Sequence, residues 1–118
     1  MIIVHATLKK EWETALLNGT YRCASLDKEG FIHCSSIEQI VSVANYNFKG
    51  IKGLILLCMD ESRVIPEVRW EDLYNSEVEY PHIYGELNID AVLKTVDFVP
   101  KEDGTFELPI EIEKLNTN

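Results

Sequence analysis

Six consecutive apolar residues, Leu54-Ile55-Leu56-Leu57-Cys58-Met59, form the longest apolar run of the chain. A membrane-crossing helix needs about 20 such residues, so this run is too short to be one. Gly53 before it and Asp60 after it bound a strand-length segment with no polar face. Such a segment reads as a central strand covered on both sides. The 118 residues available are the size of one ordinary domain. No linker-like tract, internal repeat or low-complexity block divides them. One domain over 1–118 is therefore expected, with further elements laid on both faces of this strand.

The flanking sequence supplies those elements. Ile2 to Thr7 alternates as a short strand, with Ile3, His5 and Thr7 on one face and Val4 and Ala6 on the other. Thr7 is placed to cap a helix carrying Leu8, Trp12, Ala15 and Leu16 at helical spacing, and Asn18-Gly19 to stop it. Asp27 to Gly30 reads as a turn into a second strand, Phe31 to Ser35. There Phe31, His33 and Ser35 share a face opposite Ile32 and Cys34. Ser35 with Glu38 and Ser36 with Gln39 form overlapping capping boxes before a helix whose buried stripe is Ile37, Ile40, Val41 and Ala44.

Helix signals then fade. Val64 to Glu71 alternates but contains Pro66, which marks an edge strand. Glu77 to Tyr84, Val92 to Val99 and Phe106 to Ile112 complete the strand candidates, the last two separated by the turn Lys101 to Gly104. The expected class is α+β, with two helices in the N-terminal half.

Charge and cysteine content narrow the partners. Eleven Lys and Arg against twenty Asp and Glu give a net charge of −9. That balance argues against nucleic acid and anionic membrane as partners, since both demand a basic surface. Hydrophobic residues at 46% suffice for a core without metal or disulfides. Cys23, Cys34 and Cys58 show no CxxC pairing, and the start Met1-Ile2-Ile3-Val4-His5 lacks the form of a signal peptide. A cytoplasmic protein with reduced thiols is expected.

The histidines carry the functional argument. His5, His33 and His82 each sit in an apolar, strand-like segment, beside Thr7, beside Ser35 and beside Tyr84. Three unrelated imidazoles, each bonded locally, are the bland alternative, and for any one of them alone it is the better reading. A zinc site has no HxH or HxxxH pair in support, so no metal is expected. Cys34 as a nucleophile beside His33 fails because adjacent strand residues face opposite ways; Cys34 is expected to pack on the second helix. A pocket of imidazoles and hydroxyls that binds a ribose or another polyol fits the residue types best. Trp70 beside Glu71 adds an aromatic next to a carboxylate.

His5-Ala6-Thr7, Gly30-Phe31-Ile32-His33-Cys34-Ser35, Arg69-Trp70-Glu71 and Tyr80-Pro81-His82-Ile83-Tyr84-Gly85, in this order, resemble the bacterial family catalogued as domain of unknown function 952. The resemblance runs from His5 to about Phe98. It implies an ADP-ribosyltransferase-like mixed sheet core and NAD as the cofactor. By that resemblance His5 would bond the ribose hydroxyls, the Ala6 backbone would hold the nicotinamide amide, and Tyr84 or Trp70 would stack on a ring. Many such transferases place a glutamate on a late strand. Here the inward candidate on that strand is His82, with Glu71 as the remaining carboxylate.

The expectation from the sequence is thus a cleft lined by His5, Thr7, His33, Ser35, Glu71 and His82 that takes NAD or a related nucleotide. ADP-ribosyl transfer or N-glycosidic cleavage would use Glu71 and His82. A non-catalytic binding module or a protein-interaction domain on the same fold is the competing expectation.

Overall fold

The computed structural model describes residues 1–116. β1 (Ile2–Leu8) leads directly into α1 (Lys9–Asn18), then come β2 (Thr20–Tyr21), α2 (Ala24–Glu29), β3 (Ile32–His33), β4 (Ser35–Ser36) and α3 (Ile37–Asn47). β5 (Leu54–Asp60), β6 (Glu67–Glu71), β7 (Tyr80–Tyr84), β8 (Leu87–Asn88), β9 (Val92–Phe98) and α4 (Ile110–Asn116) follow. The strands pair as β4-β1-β5-β9, β3-β7-β6 and β2-β8. Every one of these pairings is antiparallel, so the α+β class holds while the expected mixed sheet does not.

β5 is the central strand that its unbroken apolar run requires. It lies between β1 and β9, and Leu54 to Met59 are buried throughout. Alternation then sorts its side chains into two cores. Ile55, Leu57 and Met59 join Ile3, Trp12, Ala15 and Tyr21 on one face. Leu56 and Cys58 join Val4, Ile37, Ile40, Ala44, Val96 and Phe98 on the other. The faces assigned to Ile3 and Val4 from the β1 alternation are the observed ones.

Several local expectations change. The residue preceding α1 is Leu8, which offers no side-chain cap, because β1 runs one residue further and Thr7 donates to Glu11 instead. Leu16 is exposed, leaving Trp12 and Ala15 as the buried residues of that helix. Gly19 ends it at φ 90, as a left-handed stop. The turn expected over 27–30 is the end of α2, so the N-terminal half holds three helices rather than two. Cys34 packs with Ile3 and Trp12, not on α3, because that helix lies on the opposite face of β1. The strand expected over 106–112 does not form: 106–109 carry no regular structure and α4 begins at Ile110, because Pro109 lacks the N–H a ladder needs and its carbonyl accepts from Ile112 and Glu113. Of the two capping boxes, Ser36 with Gln39 forms.

Gly85, just after β7, has φ 155, a conformation that other residues rarely adopt, and a Cβ there would stand 3.0 Å from Pro66 Cβ. Gly85→Ala is expected to lower stability by roughly 1–3 kcal/mol in urea unfolding. The cap replacement Ser36→Ala should cost about 1 kcal/mol in the same measurement.

Candidate functional site

The segment Phe31 to Ser36 serves two sheets in turn. Ile32 and His33 pair with Ile83 and His82 of β7. After the Cys34 N–H donates to the Pro81 carbonyl (3.0 Å), Ser35 and Ser36 cross to Val4 and Ile3 of β1. From Ala6 to Leu8, β1 is therefore paired only with β5 among the described residues. A cavity of about 1140 Å³ opens along this split. His5, Ala6, Thr7, His33, Ser35 and His82 all line it, together with Glu11, Tyr21, Cys23 and Ser25. Its other wall comes from α3 and its end, with Ile40, Val43, Tyr46 and Phe48 beside the polar Ser42 and Asn47. Glu11 is the one formally charged carboxylate, and no Lys or Arg occurs, among the described lining residues.

His82 and Glu71 come together because the β6–β7 register sets Glu71 opposite Tyr80 and Arg69 opposite His82. Glu71 then reaches diagonally across the same face. The His82 Nδ1–H donates to Glu71 (3.0 Å), whose Oε1 also accepts from the Tyr84 hydroxyl (2.6 Å). The Tyr84 bond first, and the His82 bond second, hold the Glu71 carboxyl below the usual carboxylate range. The opposite nitrogen of His82, Nε2, is sealed from solvent and has no hydrogen-bond partner. Phe31 stacks on the His82 ring at 4.2 Å, and the His33 ring stands 5.5 Å away, edge-on. A buried orphan acceptor beside a carboxylate-anchored nitrogen is an unfavourable arrangement for mere packing.

His5 is held at both ends. Its Nδ1–H donates to the His33 carbonyl (2.5 Å), which ties β1 to β3 across the split. Its Nε2 lies 2.7 Å from the Tyr21 hydroxyl. Tyr21 donates to Thr7 (3.0 Å), and Thr7 donates to Glu11 (2.9 Å). Desolvation by burial pushes the Tyr21 phenol well above its ordinary value. With both ring nitrogens occupied, His5 has none left over for the ribose contact that the family resemblance implies. His33 is bonded through Nε2 to Glu29 (3.1 Å) and is half-exposed.

Three expected residues stand away from the cavity wall. Glu71 lies behind His82. Trp70 turns its apolar face to the first core and donates its indole N–H to Glu61 (3.1 Å). Tyr84 lies under the Arg69 guanidinium at 4.3 Å. Neither ring lines the cavity, so neither is placed to stack on a ligand there. Among the described residues no cluster of His, Cys, Asp and Glu has metal-holding geometry.

Sequence reasoning passed over Tyr21, Glu11 and Cys23. Cys23 is half-buried, with Sγ 3.1 Å from Ser25 Oγ. Burial opposes its ionisation, but His5, Ser25 and the Leu26 N–H outweigh that, and the thiol is lowered to about 7. Burial pushes Cys58 up to about 12 and drives Cys34 higher still. Glu11 had a readable signal, since it lies one helical turn from Thr7. Tyr21 and Cys23 had none.

The family described as protein of unknown function (DUF952) matches residues 6–95. The crystal structure of protein CC0527 from Caulobacter crescentus is similar over 96% of this chain and 99% of that one, at 26% identity and a TM-score of 0.87. The solution structure of the same protein gives 0.80 at 27% identity, over 93% and 95% of the two chains. No curated protein matches. These descriptions carry the family and the fold but no ADP-ribosyltransferase.

Proposed function

This chain belongs to the DUF952 family of proteins of unknown function, and we propose that its cavity binds a ribose-bearing small molecule of neutral or positive charge. The observation behind this reading is that all three histidines line one cavity of about 1140 Å³. That volume suits a nucleoside or larger ligand. The polar end offers imidazoles and hydroxyls for a sugar, and the α3 wall offers Tyr46 and Phe48 beside a flat ring. The free edge of β1 at Ala6 offers backbone groups to an amide. Electrostatics select within this class. A pyrophosphate would meet Glu11 and no lining Lys or Arg, at a cost in a partly desolvated site. NAD is thus expected to bind through its N-ribosyl half, and N-ribosyl pyridinium compounds to bind better than ADP-ribose.

His82 is the acceptor that a ligand hydroxyl would satisfy at Nε2, with Glu71 fixing the proton on Nδ1. Because His82 is 1% exposed, that contact requires a covering side chain to shift. Once in contact, an imidazole so oriented serves as acid or base in N-glycosidic cleavage or ADP-ribosyl transfer.

Titration calorimetry with nicotinamide riboside, NAD and ADP-ribose tests the reading, with affinity expected to fall in that order. Absence of heat for all three at millimolar ligand refutes it. Nicotinamide release over hours, lost in Glu71→Gln, separates an enzyme from a binding module.

A second measurement addresses His82 itself. If its orphan nitrogen is kept for a ligand, His82→Leu should change stability by no more than about 1 kcal/mol, since removing the unsatisfied Nε2 offsets the lost bond to Glu71, which keeps Tyr84 as a donor. The same variant should lose ligand binding. A loss of several kcal/mol in urea unfolding would instead make the residue structural.

A further inference from the structure

We propose that Tyr46, Tyr74 and Tyr80 form a subsite of this cavity for a weakly hydrated organic cation, an alkylated ammonium group carried by a small molecule. The inference goes beyond the ribose reading and does not depend on it. All three rings line the cavity, and Tyr46 and Tyr74 are 89% and 61% exposed, which places them at its opening. Among the described residues none of the three makes a hydrogen bond or packs on another aromatic ring, so their faces stay available. Tyr21, the other tyrosine of the lining, is bonded to His5 and Thr7 instead. An independent sign that this cavity receives a molecule is His82, buried in its wall with Nε2 unpartnered.

Local structure holds these rings in place before any ligand arrives. Tyr74 rides on the turn between β6 and β7, where the Asp72 carboxylate accepts from the N–H groups of Ser76 (2.9 Å) and Glu77 (2.8 Å). Asn75 and Glu77 adopt left-handed conformations within it, at φ 54 and φ 67, which those bonds sustain. Tyr80 begins β7 opposite Glu71, and the Glu79 carbonyl just before it accepts from the Gln39 side chain (2.7 Å). Gln39 is also the capping-box residue of α3, so this bond ties the Tyr80 strand to the helix carrying Tyr46. Gln39, Val43 and Tyr46 follow one another at helical spacing along one face.

Charge selects the occupant. The face of an aromatic ring is the negative end of its quadrupole and attracts a cation lying over it. Glu11 lines the cavity, and no Lys or Arg does so among the described residues. Burial, and then the charge of Glu29, push the Tyr74 phenol up, so a second carboxylate acts on this rim. Glu29 itself is bonded to His33. A primary ammonium needs several acceptors to replace its water, and three ring faces do not supply them. An alkylated ammonium holds its water weakly and gains from each ring. The net charge of −9 draws such a cation toward the chain.

Titration of the isotope-labelled full chain with choline, followed through amide chemical shifts, tests the proposal. The control is the uncharged analogue of choline in which carbon replaces nitrogen. Choline should bind about tenfold more tightly than this analogue, with the shifts centred on Tyr46, Tyr74 and Tyr80. Tyr74→Leu and Tyr80→Leu should each weaken choline binding by roughly 2- to 5-fold, the worth of one ring at a partly exposed site. Tyr74→Phe, which keeps the ring and loses the hydroxyl, should bind choline as the unaltered chain does. Should Tyr80→Leu not fold, Tyr46→Leu, at an exposed position, carries the same expectation. Choline has no ribose, so its outcome is separate from that of nicotinamide riboside. Equal affinity for choline and its analogue, no shift at tens of millimolar choline, or unchanged binding in the Leu variants overturns the proposal.

Discussion

Backbone hydrogen bonding at the segment from Phe31 to Ser36 governs the rest of this molecule. An extended segment must satisfy its N–H and C=O groups along its length, and buried groups left unpaired are costly. Here two residues are satisfied by β7 and the next pair by β1, with the Cys34 N–H closing the changeover on Pro81. Two sheets that share one short segment cannot lie edge to edge over their whole length. The gap they leave is the cavity, and the unpaired stretch of β1 is its rim. The His5 side chain spans the gap from β1 to the His33 carbonyl, so a polar side chain stands in for backbone pairing that the split removes.

That substitution explains why the polar groups here form a chain rather than isolated pairs. A buried imidazole placed across a sheet split must satisfy both nitrogens, and its second nitrogen faces the interior, where the Tyr21 hydroxyl meets it. The Tyr21 hydroxyl in turn needs Thr7, and Thr7 passes the requirement to Glu11 on α1 at the solvent edge. Each group in the chain satisfies the one before it, until the Glu11 carboxylate ends the sequence. His82 departs from this economy. Its Nδ1 is anchored by Glu71, yet Nε2 ends at nothing. The fold satisfies a four-membered chain on one side of the split and leaves one acceptor bare on the other, and that bare acceptor is where the proposed ligand would add a hydrogen bond.

What could be read from residues alone follows the range of the interactions. The alternation of β1, the central place of β5, the edge position of β6 and the Ser36–Gln39 box all depend on near neighbours in sequence. The convergence of His5, His33 and His82 was an expectation of a different kind, carried by residue types and family resemblance. In the fold all three line one cavity. What sequence could not supply is partner identity across long separations. Tyr21 meets His5 from 16 residues away, and nothing in Thr20-Tyr21-Arg22 marks its hydroxyl as buried. Trp70 failed as a stacking residue because strand period alone does not say which sheet face is covered; Val68 and Trp70 face the core, and Arg69 and Glu71 face outward. The helix over Ile110–Asn116 was misread because Phe106, Leu108, Ile110 and Ile112 alternate by accident, while Ile112 and Leu115 carry the packing.

The two cores and the cavity are also not independent. Ile3, Leu57 and Met59 belong to one core, and Val4, Leu56 and Cys58 to the other, because β1 pairs with β5 in a single register from Ile2 opposite Asp60 to Leu8 opposite Leu54. His5 and Thr7 fall on the Ile3 face by the same alternation. A slip of one residue would turn His5 and Thr7 toward Ile37 and Ile40 and leave their hydrogen bonds unmet in an apolar layer, while Val4 and Ala6 would face the polar cavity. The register that buries the apolar residues is therefore the register that presents the site. Tyr21 reinforces it from outside the sheet, since its hydroxyl reaches His5 and Thr7 in that register only. The apolar run of β5 and the polar chain through His5 consequently stabilise one arrangement together, and the cavity inherits its shape from both.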